Sequence, residues 1–320
     1  MNYNLNRLHE EKEKWTESDI KRHFIQEQAL KKKIVIVTGC NGQLGRAVNR
    51  EFASDDRYEL INTDVMADIS LDITDVDQVM SFISETDPYA VINCAAYTAV
   101  DKQENDADLS MKINAIGPRN LALAASEAGA KLVHISTDYV FPGVSDHPLT
   151  EFDPTGPSSV YGKTKLAGEE YVKQFADRFY IIRTAWLYGD GHNFAKTMLK
   201  LAETHEELTV VDDQLGTPTS AKELARCIHE LLPGDNYGLF HGTCEGDTNW
   251  AEFAEAVLKL GGKTTKVKHV STEEYARMNP QSAPRPAYSI LDNYMLRLTG
   301  SYRFADWHDA VEEYFKDGLK

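Results

Sequence analysis

Tyr161 and Lys165 stand four residues apart in the stretch SSVYGKTKLAGEEY, Ser158 to Tyr171. Four residues is slightly more than one helical turn, so on a helix the phenol and the ammonium share a face. A free tyrosine titrates at about pH 10, and a neighbouring positive charge brings it closer to working pH. The pair can therefore act as a proton donor and its electrostatic partner. An ordinary solvated helix face has the same spacing, so the rest of the chain must separate the two readings. Of the fifteen tyrosines only Tyr161 has lysine four residues on. Upstream, HISTDYVF ends an apolar run with Ser136, Thr137 and Asp138.

A second group of residues supplies the context. VTGCNGQLG places Gly39, Gly42 and Gly45 directly after the apolar run KIVIV. Glycines there permit a tight turn, close approach of backbone N–H groups to a pyrophosphate, and close packing of the next helix on the strand. That helix aims its positive end at the phosphates. The spacing is one residue longer than the simplest dinucleotide fingerprint, and a plain tight turn is the competing reading. Asp64 ends the next apolar run, 19 residues beyond Gly45. It can accept hydrogen bonds from ribose hydroxyls and would repel a 2′-phosphate, or it is a turn residue only. Asp72 and Ile73 form a polar–apolar pair suited to an adenine, and Asp75 can cap a helix. With a dinucleotide in the loop, the chemistry of Thr137, Tyr161 and Lys165 is carbonyl reduction. Hydride arrives from the nicotinamide, Tyr161 protonates the developing alkoxide, and Thr137 aligns the substrate oxygen.

These residues need a scaffold, and its rhythm is visible. KIVIVTG, YELINTD, YAVINCAA, KLVHIST and RFYIIRT are short β-branched runs separated by helical patterns such as DLSMKINAIGPRNLALAASEAG, with Gly129 as its stop. Strands alternating with helices at this spacing predict a doubly wound parallel α/β sheet, the Rossmann class. Three divisions follow: a helical extension over 1–31, a dinucleotide-binding domain over 32–185, and a smaller substrate-binding region over 186–320. Some segments of that last region are expected to return to the first domain.

Composition excludes other classes. Lys+Arg 34 against Asp+Glu 50 gives a net charge of −16, which argues against a nucleic-acid phosphate binder. The four cysteines are scattered with no Cys-x-x-Cys, and the ten histidines form no H-x-x-x-H pair, so no structural or catalytic metal is expected. No apolar run approaches a membrane span, and the charged N-terminus lacks a secretory apolar segment. A cytoplasmic protein is the expectation.

The glycine loop, VINCAAYTAVD, STDYVF, VYGKTKLAGE, RTAWLYG, NFAKTML and QLGTPT occur in one order. In that order they resemble the extended short-chain dehydrogenase/reductase superfamily, and within it the dTDP-4-dehydrorhamnose reductases, from about Lys32 to near the C-terminus. The resemblance implies NADPH or NADH as cofactor and a dTDP-sugar as substrate. It makes Tyr161 the proton donor, Lys165 its modulator and a ligand of the nicotinamide ribose, and Thr137 the third catalytic hydroxyl. It places Gly42, Gln43 and Leu44 at the diphosphate, Asp64, Asp72 and Ile73 around the adenosine, and Ala95, Ala96 and Tyr97 along the cofactor. Thr137 and Asp138 would contact the deoxysugar, with Trp186 packed against it, or Trp186 is plain core. NFAKTML, QLGTPT and RPAYSILD, with Arg285, are the candidates for gripping the nucleotide. Some family members dimerise around a magnesium ion held by glutamates, one of them just after the glycine loop. Arg46-Ala47-Val48-Asn49 stands there, so a monomer or a homodimer without that metal is expected.

Two alternatives stay open. One is another sugar-nucleotide enzyme on this scaffold. A dehydratase would show Asp-Glu after the threonine, where this chain has Asp138-Tyr139, but an epimerase has no such marker against it. The other is a regulatory dinucleotide-binding protein resembling the methionine adenosyltransferase β subunit, against which the intact Thr137–Tyr161–Lys165 set argues.

Overall fold

The computed structural model describes residues 32–280 and 283–318. The helix expected within residues 1–31 lies outside the described residues. Strand β1 (Lys33–Thr38) is the KIVIVT run and is buried along its last four residues. Both its faces are covered, which is why it is continuously apolar rather than alternating. Helix α1 (Gln43–Phe52) follows the glycine loop and buries Leu44, Ala47, Val48 and Phe52, a three- and four-residue spacing that forms one face. The alternation continues through β2 (Tyr58–Thr63), α2 (Val76–Thr86), β3 (Ala90–Asn93), α3 (Val100–Gln103), α4 (Ala107–Met111), α5 (Gly117–Glu127), β4 (Lys131–Thr137), α6 (Val160–Phe175) and β5 (Phe179–Thr184).

The long helical pattern before β4 is not one helix. Between α4 and α5 the chain makes a π-helical turn at Lys112–Ile116. There the buried Asn114 accepts a hydrogen bond from Tyr97 N at 2.9 Å and donates to Tyr97 O at 3.0 Å. Gly129, at φ +66, lies two residues beyond the end of α5, as predicted.

The remaining elements are shorter: β6 (Leu187–Tyr188), α7 (Phe194–Leu201), β7 (Glu207–Val211), β8 (Leu215–Gly216), β9 (Thr219–Ser220), α8 (Ala221–Leu231), β10 (Gly238–His241), β11 (Thr248–Asn249), α9 (Trp250–Leu260), β12 (Lys266–Val270), α10 (Thr272–Met278), α11 (Tyr294–Thr299) and α12 (Trp307–Lys316). The main sheet has six strands in the order β10-β5-β4-β3-β1-β2, all parallel. It is the doubly wound architecture expected, with β10 completing one edge by pairing with β5. Beyond the sheet, β7 and β12 form a parallel pair. One continuous buried cluster joins Val35 and Val37 of β1 to Leu224 and Ile228 of α8, Phe253 of α9 and Trp307 of α12.

The strand order reverses at β1, with β2 on one side and β3 on the other. Loops leaving the carboxyl ends of β1 and β3 part at this switch point and open a crevice.

Candidate active site

Two cavities meet in that crevice. One of about 360 Å³ is lined by Gly39, Gly42, Asp64, Asp72, Ile73, Ala95 and Ala96 among others. Another of about 400 Å³ is lined by residues that include Gly42, Gln43, Leu44, Thr137, Asp138, Tyr161, Lys165 and Trp186. Gly42, Cys94, Ala95 and Ala96 line both, so the two are continuous.

The glycine loop is shaped for close approach. Gly39 has φ +64, and a Cβ there would lie 2.6 Å from Ala95 N. At Gly45 a Cβ would lie 2.4 Å from Gly39 O, so this glycine serves helix-on-loop packing and lines neither cavity. Gly42 caps α1 with no side chain in the way, leaving first-turn N–H groups facing the crevice. The Asp64 carboxylate accepts from Asn41 N at 3.4 Å and Met66 N at 3.2 Å, which holds it at the rim. Asp72 Oδ1 accepts from Thr74 N at 2.9 Å, and Asp75 caps α2 by accepting from Gln78 N. Tyr97 lines neither cavity; its backbone is taken up by Asn114. A carboxylate at one end, a glycine-built middle and a Tyr/Lys pair at the other fit an extended dinucleotide.

Tyr161 and Lys165 lie on α6, whose start is fixed by Ser159 capping Gly162 N at 3.1 Å. Gly162 lets this helix sit on the loop after β4, since a Cβ there would come within 2.1 Å of Tyr139 O. Gly168 lets it sit on the π-helical turn, where a Cβ would come within 2.3 Å of Asn114 O. Tyr161 and Lys165 line the same cavity as Thr137. Tyr139 packs on Tyr161 edge to face, with ring centroids 5.3 Å apart. Lys165 Nζ donates to Ile135 O at 2.5 Å.

Here the electrostatics differ from the expectation. Burial pushes the Tyr161 phenol up to about 12, an effect that its contact with Thr137 only partly offsets. Burial also pulls Lys165 down to about 8, against the opposing field of Glu169. The ammonium is tied to a carbonyl of β4 rather than to the phenol. In this structure Tyr161 is thus held in its protonated form, the form a donor needs. Asp138 is raised to about 6 by burial, with Thr137 and Ser289 pulling the other way.

Below the pair lies a buried ion pair that sequence reasoning missed. Glu169 continues the series Tyr161, Lys165, Glu169 at four-residue intervals, a signal present in the sequence. Its carboxylate accepts from Arg183 Nε at 2.9 Å and Nη2 at 2.7 Å, and from Ser136 Oγ at 2.5 Å. Arg183 and Glu169 side chains are 2% and 0% exposed. A carboxylate satisfied by three donors locks α6 to β4 and β5 directly under the catalytic groups.

Trp186 adopts φ +48, a conformation rare outside glycine. Its ring stacks on Trp250 at 3.7 Å and 11°, and a Cβ at Gly216 would meet the ring at 2.5 Å. It is thus a cavity wall held from two sides, not plain core. Trp250, at the start of α9, was not foreseen, and no local pattern marks it. Arg285 does not reach the catalytic cavity. It lines a third one of about 670 Å³ with Phe194, Met198, Gln214 and Trp250, and its Nη2 donates to Asp101 Oδ1 at 2.9 Å. Thr98 and Trp250 line both this space and the catalytic cavity. Among the described residues no group of three or more His, Cys, Asp or Glu could hold a metal ion.

A parallel sheet with a dinucleotide crevice at its switch point and a Thr–Tyr–Lys set beside it defines a short-chain dehydrogenase/reductase scaffold. The chain belongs to the family described as RmlD substrate binding domain, whose model matches residues 32–319. It is 40% identical over 288 residues to a dTDP-4-dehydrorhamnose reductase of Streptomyces griseus, covering 88% of this chain and 92% of the relative. A solved dTDP-4-dehydrorhamnose reductase of Clostridium acetobutylicum matches with TM-score 0.85 and 50% identity, covering 88% of this chain and 98% of that one. A Bacillus anthracis dTDP-4-dehydrorhamnose reductase solved in complex with NADP matches with TM-score 0.85 and 41% identity, covering 90% and 100%.

Proposed function

We propose that the protein reduces the C4 ketone of dTDP-4-dehydro-β-L-rhamnose to dTDP-β-L-rhamnose, the last step of dTDP-L-rhamnose formation, with NADPH or NADH. The observation that carries this reading is the convergence of Thr137, Tyr161 and Lys165 on a cavity continuous with the glycine-lined crevice. Bound in that crevice, the cofactor supplies the hydride. Asp64, Asp72 and Ile73 would hold its adenosine, Gly42, Gln43 and Leu44 its diphosphate, and Ala95, Ala96, Tyr161 and Lys165 its nicotinamide end. Thr137 donates to the ketone oxygen, and the Tyr161 hydroxyl gives its proton to that oxygen as negative charge develops. After transfer, the Lys165 ammonium stabilises the phenolate left behind. Trp186 and Trp250 form an apolar wall for the deoxysugar, and Asp138 contacts it. The third cavity takes the nucleotide, with Arg285 as its cation.

The working division is 32–185 for the cofactor and 186–320 mainly for the sugar nucleotide, with β10 returning to the sheet. The acidic charge favours a protein that works without nucleic acid, and the same reading has it act in the cytoplasm as a monomer or homodimer. Among the described residues no helix is long and apolar enough to cross a membrane.

The test is nicotinamide absorbance with the 4-keto-6-deoxy-L-sugar nucleotide. Cofactor should be oxidised only when that substrate is present, and Tyr161→Phe should lower turnover by about 10²–10⁴-fold while cofactor binding, followed by fluorescence, persists. A redox-neutral epimerase would form product without net cofactor loss, and a regulatory protein would give no turnover. Near-normal turnover by Tyr161→Phe would sink the mechanism.

A further inference from the structure

We propose, resting on the cofactor placement given above, that Lys112 is the cation that receives the 2′-phosphate of NADPH, so that one adenosine cavity serves both nicotinamide cofactors. Asp64 and Asp72 both line that cavity. Among the described residues their carboxylates accept only from backbone N–H groups and the Thr74 hydroxyl, never from a cation. A 2′-phosphate brought there meets two like charges that no protein group neutralises. Lys112 is the single cation among the residues lining this cavity. Its ammonium makes no hydrogen bond or ion pair among the described residues, not even with Asp108 four residues back.

Local structure explains why the lysine stands there. Leu109, Lys112 and Ile113 all line the cavity, at the three- and four-residue spacing of one helix face. Leu109 and Ile113 supply apolar surface for the Lys112 methylenes, while the exposed ammonium stays in water at the mouth. Lys112 also opens the π-helical turn, an irregularity that recurs at functional sites. The turn is firmly placed. Asn114 ties it to the Tyr97 backbone at 2.9 and 3.0 Å. Just beyond, a Cβ at Gly117 would lie 2.5 Å from Ile73 Cδ1, and Asn120 Nδ2 donates to Ile73 O at 3.0 Å. The helical segment that carries Lys112 is thereby pressed onto the Asp72–Ile73 segment across the adenosine site.

A lysine suits this task because a compact ammonium on a flexible stem binds phosphate as a point charge. With NADH, Asp64 accepts from the ribose hydroxyls and Lys112 remains solvated. With NADPH, the phosphate occupies the 2′ position, Asp64 opposes it and Lys112 offsets that opposition. Asp64 and Lys112 therefore pull cofactor selectivity in opposite directions.

Calorimetric titration of the full chain with adenosine 2′,5′-bisphosphate and with AMP isolates the 2′-phosphate from the nicotinamide and from turnover. Lys112→Ala should weaken the bisphosphate and NADPH by roughly fivefold or more and leave AMP and NADH within about twofold. Lys112→Arg should keep the wild-type preference, and Lys112→Glu should deepen the loss. In the wild-type protein, added salt should weaken the bisphosphate more than AMP, and Lys112→Ala should remove most of that difference. Equal weakening of all four ligands in Lys112→Ala would overturn the proposal, because it would mean a packing role only. An unchanged preference in that variant would overturn it too, leaving Lys112 an ordinary solvated lysine. If the wild-type protein binds neither AMP nor NADH, the cofactor placement fails and the proposal with it. If binding follows the expected pattern but no cofactor is oxidised with the keto-sugar, the role of Lys112 stands and the reductase reading alone fails.

Discussion

Replacing Glu169 by glutamine removes one charge from a fully buried position. Arg183 Nε and Nη2 and the Ser136 hydroxyl all converge on its two oxygens at 2.5–2.9 Å. Arg183 would keep its charge, stacked over the Phe141 ring at 4.9 Å, with Nη1 already lacking a partner. Breaking one partner of a buried pair costs about 3–5 kcal/mol, and because glutamine retains one acceptor the lower end applies. With a urea slope of about 3 kcal/mol/M, a loss of about 3 kcal/mol moves the denaturation midpoint down by about 1 M at unchanged slope. The double replacement Glu169→Leu with Arg183→Met should recover most of this, since an apolar pair of similar volume needs no counter-charge. Glu169 also opposes the downward shift of Lys165. Its loss should move the alkaline fall of kcat to lower pH. A midpoint shift under about 0.3 M in Glu169→Gln would refute the reasoning, because it would mean the arginine finds solvent or another anion.

Gly162→Ala should lower kcat and destabilise by about 1–3 kcal/mol, since the new Cβ meets Tyr139 O at 2.1 Å and pushes Tyr161 off Thr137; thermal melts and steady-state rates check both effects. Asp64→Ser should raise the NADPH-to-NADH ratio of kcat/KM by roughly fivefold or more, the Coulomb scale for relieving one like charge near a 2′-phosphate. Because burial holds Lys165 near 8, below its usual range, its ammonium is lost as pH rises through about 8, and kcat should fall there rather than near the ordinary lysine value. A pH–rate profile flat to pH 10 would contradict that assignment.

Much of this arrangement was legible because it depends on local pattern. KIVIVT suits a strand covered on both faces, and three glycines after it suit a loop whose backbone approaches something closely. The four-residue interval from Tyr161 to Lys165 carried the catalytic face. What escaped depends on distant packing. Trp250 reaches Trp186 from a helix 64 residues further on, and nothing near either residue encodes the meeting. Arg285 was expected at the site, yet its loop carries it to Asp101 and a separate cavity. The direction of the Tyr161 shift was missed for the same reason. Charge proximity can be read from spacing, but burial is set by Tyr139, Gly162 and the elements around them, and here burial outweighs charge.

The edge strand β10 has a consequence for how the chain is made. Residues Gly238–His241 pair with Tyr180–Arg183, so the sheet is incomplete until the ribosome has released the chain well past residue 241. Until then β5 presents an unpaired edge, the kind of template that invites pairing with another nascent chain. Sheet closure must also wait for α7, β7 and α8 to leave the ribosome, a long loop that raises contact order and slows assembly. A fragment ending at residue 185 should accordingly be aggregation-prone, whereas one extended through β10 gains the missing neighbour of β5.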